Sequence, residues 1–129
     1  MQPRSVKTSI LFVDDEARIT QMAGEVLTAR GFEVVALTAP QAALAAFLAD
    51  PRRFDVAVLD HTMPELSGLE LAARLFELRA DLPILLLSGF AEALSRTALE
   101  RAGVRECLPK PFPLSELASK VDALVQRAS

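Results

Sequence analysis

Five short apolar runs, each leading into a longer amphipathic stretch, restrict the possible folds of this chain more than any other feature. The runs are Ser9–Val13 (SILFV), Phe32–Leu37 (FEVVAL), Phe54–Asp60 (FDVAVLD), Pro83–Gly89 (PILLLSG) and the shorter Glu106–Lys110 (ECLPK). Strands that are apolar throughout are buried on both faces, the mark of a parallel sheet. After the first run, Ile19, Met22, Ala23, Val26 and Leu27 recur at helical spacing, and Gly31 sits where such a helix stops. Further helices are expected over Pro40–Ala49, capped by Thr38 with Pro40 in its first turn, over Glu65–Leu78, over Ala91–Ala102 with Gly103 as the stop, and over Leu114–Arg127. Strand–helix alternation repeated five times gives an open α/β sheet. Right-handed crossovers leave few topologies. For five parallel strands the commonest is the flavodoxin-like doubly wound sheet, strand order 2-1-3-4-5.

With 129 residues, 51% of them hydrophobic, the chain supplies one core and not two. A formal charge of −3 makes no case for nucleic acid or an anionic membrane as partner. Cys107 is the single cysteine, so no internal disulfide can form, which is compatible with a reducing compartment. No apolar run reaches the ~18–20 residues that cross a bilayer, and the N-terminus has no signal-peptide core. The expectation is a cytoplasmic domain over 8–127 behind a short leader at 1–7, with no nucleic acid and no membrane partner.

In doubly wound sheets the site lies beyond the carboxyl ends of the strands, where strand order reverses. Here the first strand runs into Asp14-Asp15-Glu16, the third ends in Asp60, the fourth in Ser88-Gly89 and the fifth in Lys110, followed by Pro111. Like charges so close disfavour ionisation unless a cation compensates them. Three carboxylates and a hydroxyl, without a Cys or His cluster, suit a hard dication, Mg²⁺ above all. Such an ion would keep Asp14, Asp15 and Asp60 ionised. Acids after a strand also serve as helix N-caps, and Glu16 reads as only that. His61 follows a strand directly and reads as an exposed loop residue, not a phosphate carrier. Cys107 reads as a small buried hydrophobe.

Four motifs in order, VDDE at 13–16, LDHTMPELSG at 59–68, LSG at 87–89 and LPKPF at 108–112, resemble those of the receiver domain of two-component response regulators. The resemblance spans roughly 8–127. It implies that Asp60 accepts a phosphoryl group from a histidine kinase or a histidine phosphotransfer protein. It implies that Asp15 and Asp60 bind Mg²⁺ together with the backbone carbonyl of Thr62, with Asp14 acting through water. Lys110 would pair with Asp60 at rest and with a phosphoryl oxygen afterwards, Ser88 would donate its hydroxyl to that group, and Lys110–Pro111 would be cis. Movement of the Ser88 loop would repack the face of the fourth helix and fifth strand for a downstream partner or a fused output domain. Cys107 departs from the family, which usually has an aromatic there. Thr62 and Phe90 flank the site, and Phe90 would shield the acyl phosphate from water. A stand-alone receiver, a piece of a larger regulator and the terminal receiver of a hybrid histidine kinase all fit the resemblance, and the stretch LSGFAEALSRTALERAGVRECLPKPFPLSELASKV resembles the last of these most. On this reading the chain performs a self-limited phosphoryl transfer and turns over no metabolite. Two alternatives stand beside it. One is an unphosphorylated pseudo-receiver that only binds partners. The other is a Mg²⁺-dependent phosphohydrolase of the haloacid-dehalogenase type, which would be expected to show Asp-x-Asp where this chain has adjacent Asp14-Asp15. A flavin site is excluded because three acids would repel its phosphate.

Overall fold

The computed structural model describes residues 7–89 and 94–128. All but the last residue of the expected leader, and Phe90, lie outside them. Five parallel strands, β1 (Ser9–Val13), β2 (Glu33–Leu37), β3 (Val56–Asp60), β4 (Ile84–Ser88) and β5 (Val104–Pro109), form one sheet in the order β2-β1-β3-β4-β5. Between and after them run α1 (Ala17–Ala29), α2 (Pro40–Ala49), α3 (Gly68–Leu78), α4 (Arg96–Arg101) and α5 (Leu114–Ala128). This is the expected doubly wound topology. Among the described residues no helix is long and apolar enough to cross a membrane.

The core lies in two layers because strand side chains alternate between faces. Leu11, Val13, Ala57, Leu59, Ile84 and Leu86 point one way and pack with Phe47 of α2 and Leu71 and Leu75 of α3. Ile10, Phe12, Val56, Val58, Leu85 and Leu87 point the other way, onto Ala23 and Leu27 of α1 and Leu117, Val121 and Leu124 of α5. Strands β1, β3 and β4 are buried along their whole length, whereas the edge strands β2 and β5 are only partly covered. Helix α1 stops as Gly31 implied: the Gly31 N–H donates to Thr28 and the Phe32 N–H to Leu27, a Schellman pair of bonds.

Several boundaries move for local reasons. Helix α3 begins at Gly68, not Glu65, because Glu65 takes a left-handed φ of 74° and the chain turns through Leu66 first. Ser67 then caps the helix, its hydroxyl accepting from the Glu70 N–H while the Glu70 carboxylate accepts from the Ser67 N–H. Thr38 does not cap α2; Ala39 holds that position without a side-chain bond, and Pro40 opens the helix. Strand β3 starts two residues after Phe54, whose ring instead stacks on Phe47 at 6.2 Å. Helix α4 is confined to Arg96–Arg101 and capped by Ser95, while 91–93 of the expected helix lie outside the described residues. Strand β5 starts at Val104, not Glu106, because Ile84 pairs with Val104 and Leu85 with Glu106, leaving Arg105 as a bulge.

Gly103 links α4 to β5 at φ 79°, and a Cβ there would lie 2.4 Å from Cδ1 of Phe76. Gly103→Ala combines a left-handed backbone with overpacking and is expected to cost about 1–3 kcal/mol. A melting temperature equal to that of wild type would refute this.

Candidate functional site

The sheet register sets the site. Asp60 ends β3 opposite Leu87, and Ser88 ends β4 opposite Pro109, so the residue after β5, Lys110, arrives beside both. Its N–H donates to the Ser88 carbonyl at 2.9 Å. From there the Lys110 ammonium reaches across the rim. Its Nζ lies 3.0 Å from Oδ2 of Asp14 and 3.0 Å from Oδ1 of Asp60. Asp14 has no exposed surface and Asp60 is 3% exposed. Burying two carboxylates is costly unless each is paired and hydrogen-bonded. For Asp14 the pairing is complete. Oδ1 accepts from the Glu16 N–H at 2.9 Å, Oδ2 takes Lys110, and its own N–H donates to Leu37 at 3.2 Å. The turn after β1 is therefore held by the Asp14 carboxylate; Glu16 stands at the N-cap of α1 but makes no side-chain capping bond.

Asp15 points outward, yet carboxylate oxygens of Asp14, Asp15 and Asp60 lie within 4.8 Å of one another. That is a hard, all-oxygen donor set. Burial pushes the Asp60 carboxyl up to about 6; the Lys110 bond pulls it down, and the charges of Asp14 and Asp15 push it up again. Burial pulls Lys110 down, but its bonds to Asp14 and Asp60 outweigh this, so the ammonium is held above its usual range.

A family profile described as "Response regulator receiver domain" matches residues 10–122. The chain belongs to the response regulator receiver domain family. It is 37% identical over 120 residues to the response regulator MprA of Mycolicibacterium vanbaalenii, covering 93% of this chain and 51% of that protein. It is 35% identical over 124 residues to the phosphate regulon transcriptional regulatory protein PhoB of Pseudomonas aeruginosa, covering 95% and 53%. The chain thus spans about half the length of these curated relatives. Among solved structures, the response regulator TrrA of Thermotoga maritima, in complex with Mg²⁺-BeF, superposes with a TM-score of 0.81 at 32% identity, covering 91% of this chain and 98% of that one.

Within this receiver domain the structure brings together Asp14, Asp15, Asp60 and Lys110, with Ser88 buried at the adjoining strand end. Thr62 is exposed in the loop after β3. The Lys110–Pro111 peptide is cis, as the resemblance implied. His61 is half-buried and not the exposed residue expected, because the loop folds back on it: its N–H donates to Leu87 and its carbonyl accepts from Gly68. Cys107 is half-buried beside a groove of about 390 Å³ between α4 and β5, and burial, then the Glu106 charge, push its thiol up, away from reactivity.

The sequence reading missed the role of Gly68. A Cβ there would lie 2.2 Å from the carbonyl oxygen of Asp60, so only glycine lets α3 lean on the end of β3. Gly68→Ala is expected to lose about 1–3 kcal/mol in urea unfolding, and an unchanged midpoint would contradict this packing. A second expectation concerns pH. In the unfolded chain Asp60 titrates near 3.8, in the fold near 6, so between these values the folded state holds the extra proton and stability falls as pH rises. In chelated buffer Asp60→Asn is expected to melt above wild type at neutral pH, with the gap closing as the pH drops toward about 4. Melting curves across that range check it; a gap that widens in acid has the wrong sign.

Proposed function

We propose that this receiver domain is a phosphoacceptor in a phosphorelay, taking a phosphoryl group from the phosphohistidine of a histidine kinase or phosphotransfer protein onto Asp60. The observation that carries the reading is the Lys110 ammonium at 3.0 Å from both Asp14 and Asp60, beside a third carboxylate, at the open end of the sheet. An oxygen of ionised Asp60 attacks phosphorus, the new P–O bond forms as the P–N bond breaks, and the leaving imidazole nitrogen keeps that electron pair. Lys110 exchanges the Asp60 carboxylate for a phosphoryl oxygen, and the Ser88 hydroxyl donates to another. Positioning and neutralisation of charge account for most of such catalysis.

The all-oxygen donor set fits Mg²⁺, and the Mg²⁺-BeF complex of TrrA supports the same choice. Asp15, Asp60 and the carbonyl of Thr62 would hold the ion, with Asp14 acting through water because its oxygens already serve Lys110 and the Glu16 N–H. When bound, the ion neutralises charge on the phosphoryl oxygens. This reading puts the domain in the cytoplasm beside its donor. It assigns output to a downstream partner or a fused domain, as the regulatory names of MprA and PhoB support.

Incubation with Mg²⁺ and acetyl phosphate, followed by intact mass, tests the reading. One phosphoryl adduct is expected on wild type, and none on Asp60→Asn or in the presence of EDTA. Wild type that stays unmodified, or an adduct that persists on Asp60→Asn, overturns it.

A further inference from the structure

Thr20 lies in the first turn of α1 and is 5% exposed. Its N–H makes the first helical bond, to the Glu16 carbonyl at 3.0 Å. A helical threonine hydroxyl commonly bonds back to the same i−4 carbonyl. Here the Glu16 carbonyl is 3.1 Å away, but the Asp14 carbonyl, six residues back, is at 2.7 Å. The hydroxyl has one proton, and the shorter contact takes it.

We propose that Thr20 is a positioning residue for the acidic pair: its hydroxyl fixes the peptide plane that joins Asp14 to Asp15. The inference rests on the metal-binding part of the reading above. The peptide unit is planar, so holding the Asp14 carbonyl also fixes the direction in which the chain leaves toward Asp15. Asp14 is already anchored through its N–H to Leu37 and through both carboxylate oxygens. The Thr20 bond secures its remaining polar atom. Asp15 is exposed, so its aim depends on the backbone that Asp14 and Thr20 hold. Without the hydroxyl, the buried Asp14 carbonyl loses its donor and the plane is free to rotate. The carboxylates of Asp14 and Asp15 then lose the mutual placement that keeps them within 4.8 Å of Asp60.

The test compares Thr20→Val, which keeps the shape and loses the hydroxyl, with Thr20→Ser, which keeps it. Three quantities are read on the unphosphorylated protein: the Mg²⁺ dissociation constant by NMR titration, the carbonyl ¹³C shift of Asp14 without metal, and the melting temperature. Partners that orient metal ligands from behind typically contribute 10–100-fold in affinity, so Thr20→Val should weaken Mg²⁺ about tenfold. It should also move the Asp14 ¹³C shift to the non-bonded value, while Thr20→Ser stays near wild type in both. Gly103→Ala, at the opposite end of the sheet, serves as the control, losing melting temperature at unchanged Mg²⁺ affinity. Thr20→Val that binds Mg²⁺ as wild type does reduces Thr20 to a stability role and overturns the inference, as does Thr20→Ser that fails equally. Wild type that binds Mg²⁺ but accepts no phosphate defeats the phosphoacceptor reading alone, and the comparison of variants still decides the role of Thr20. Wild type that ignores Mg²⁺ overturns both.

Discussion

One ammonium shared between two buried carboxylates holds the functional end of this molecule together. Lys110 reaches Asp14 and Asp60 at equal distance; Asp14 follows β1 and Asp60 ends β3. Removing the lysine would leave two buried carboxylates without a counter-charge, a loss that typically costs several kcal/mol. Burial, with the charges of Asp14 and Asp15 added to it, holds the Asp60 carboxyl well above the usual range despite a cation in contact. The pairing thus ties the ends of two separate segments to one cation.

The fold exists, in effect, to bring those ends to one rim. Three fully buried strands give the sheet a rigid centre, and their apolar faces feed two separate layers of packing. The site residues sit at or just past the ends of β1, β3, β4 and β5, where the backbone leaves the core and polar side chains can meet. Gly68 and the Ser67–Glu70 capping box then seat α3 directly on the Asp60 carbonyl, so Asp60 is braced from behind by a helix start.

Much of this was legible in the residues themselves. The central strands announce themselves as continuous apolar runs, Asp60 falls at the end of one of them, and Lys110 falls at the end of the shorter fifth run. What the sequence hid was local geometry. Leu66 keeps the helical spacing that made α3 look longer, and only the positive φ of Glu65 reveals the turn before it. The bulge at Arg105 masked the start of β5, because it breaks the short apolar pattern. Of two adjacent aspartates, a linear reading cannot tell which turns inward; the Asp14 N–H bonding to β2 and its carboxylate capping Glu16 make that choice. Thr20 gave no signal at all, since a lone polar residue in an amphipathic helix looks like surface.

The strand order also governs how the chain must assemble. Among the described residues no strand pairs with its sequence neighbour through a tight hairpin, and β1 meets β3 across a separation of 46 residues, as the Ile10–Val56 pairing shows. The entropy of closing such loops must be met before the ladder returns any stability. Folding of this domain is therefore bound to be slower than that of a helical bundle of equal size. The central apolar strands stay exposed to solvent and to one another's edges until β1 and β3 have found each other.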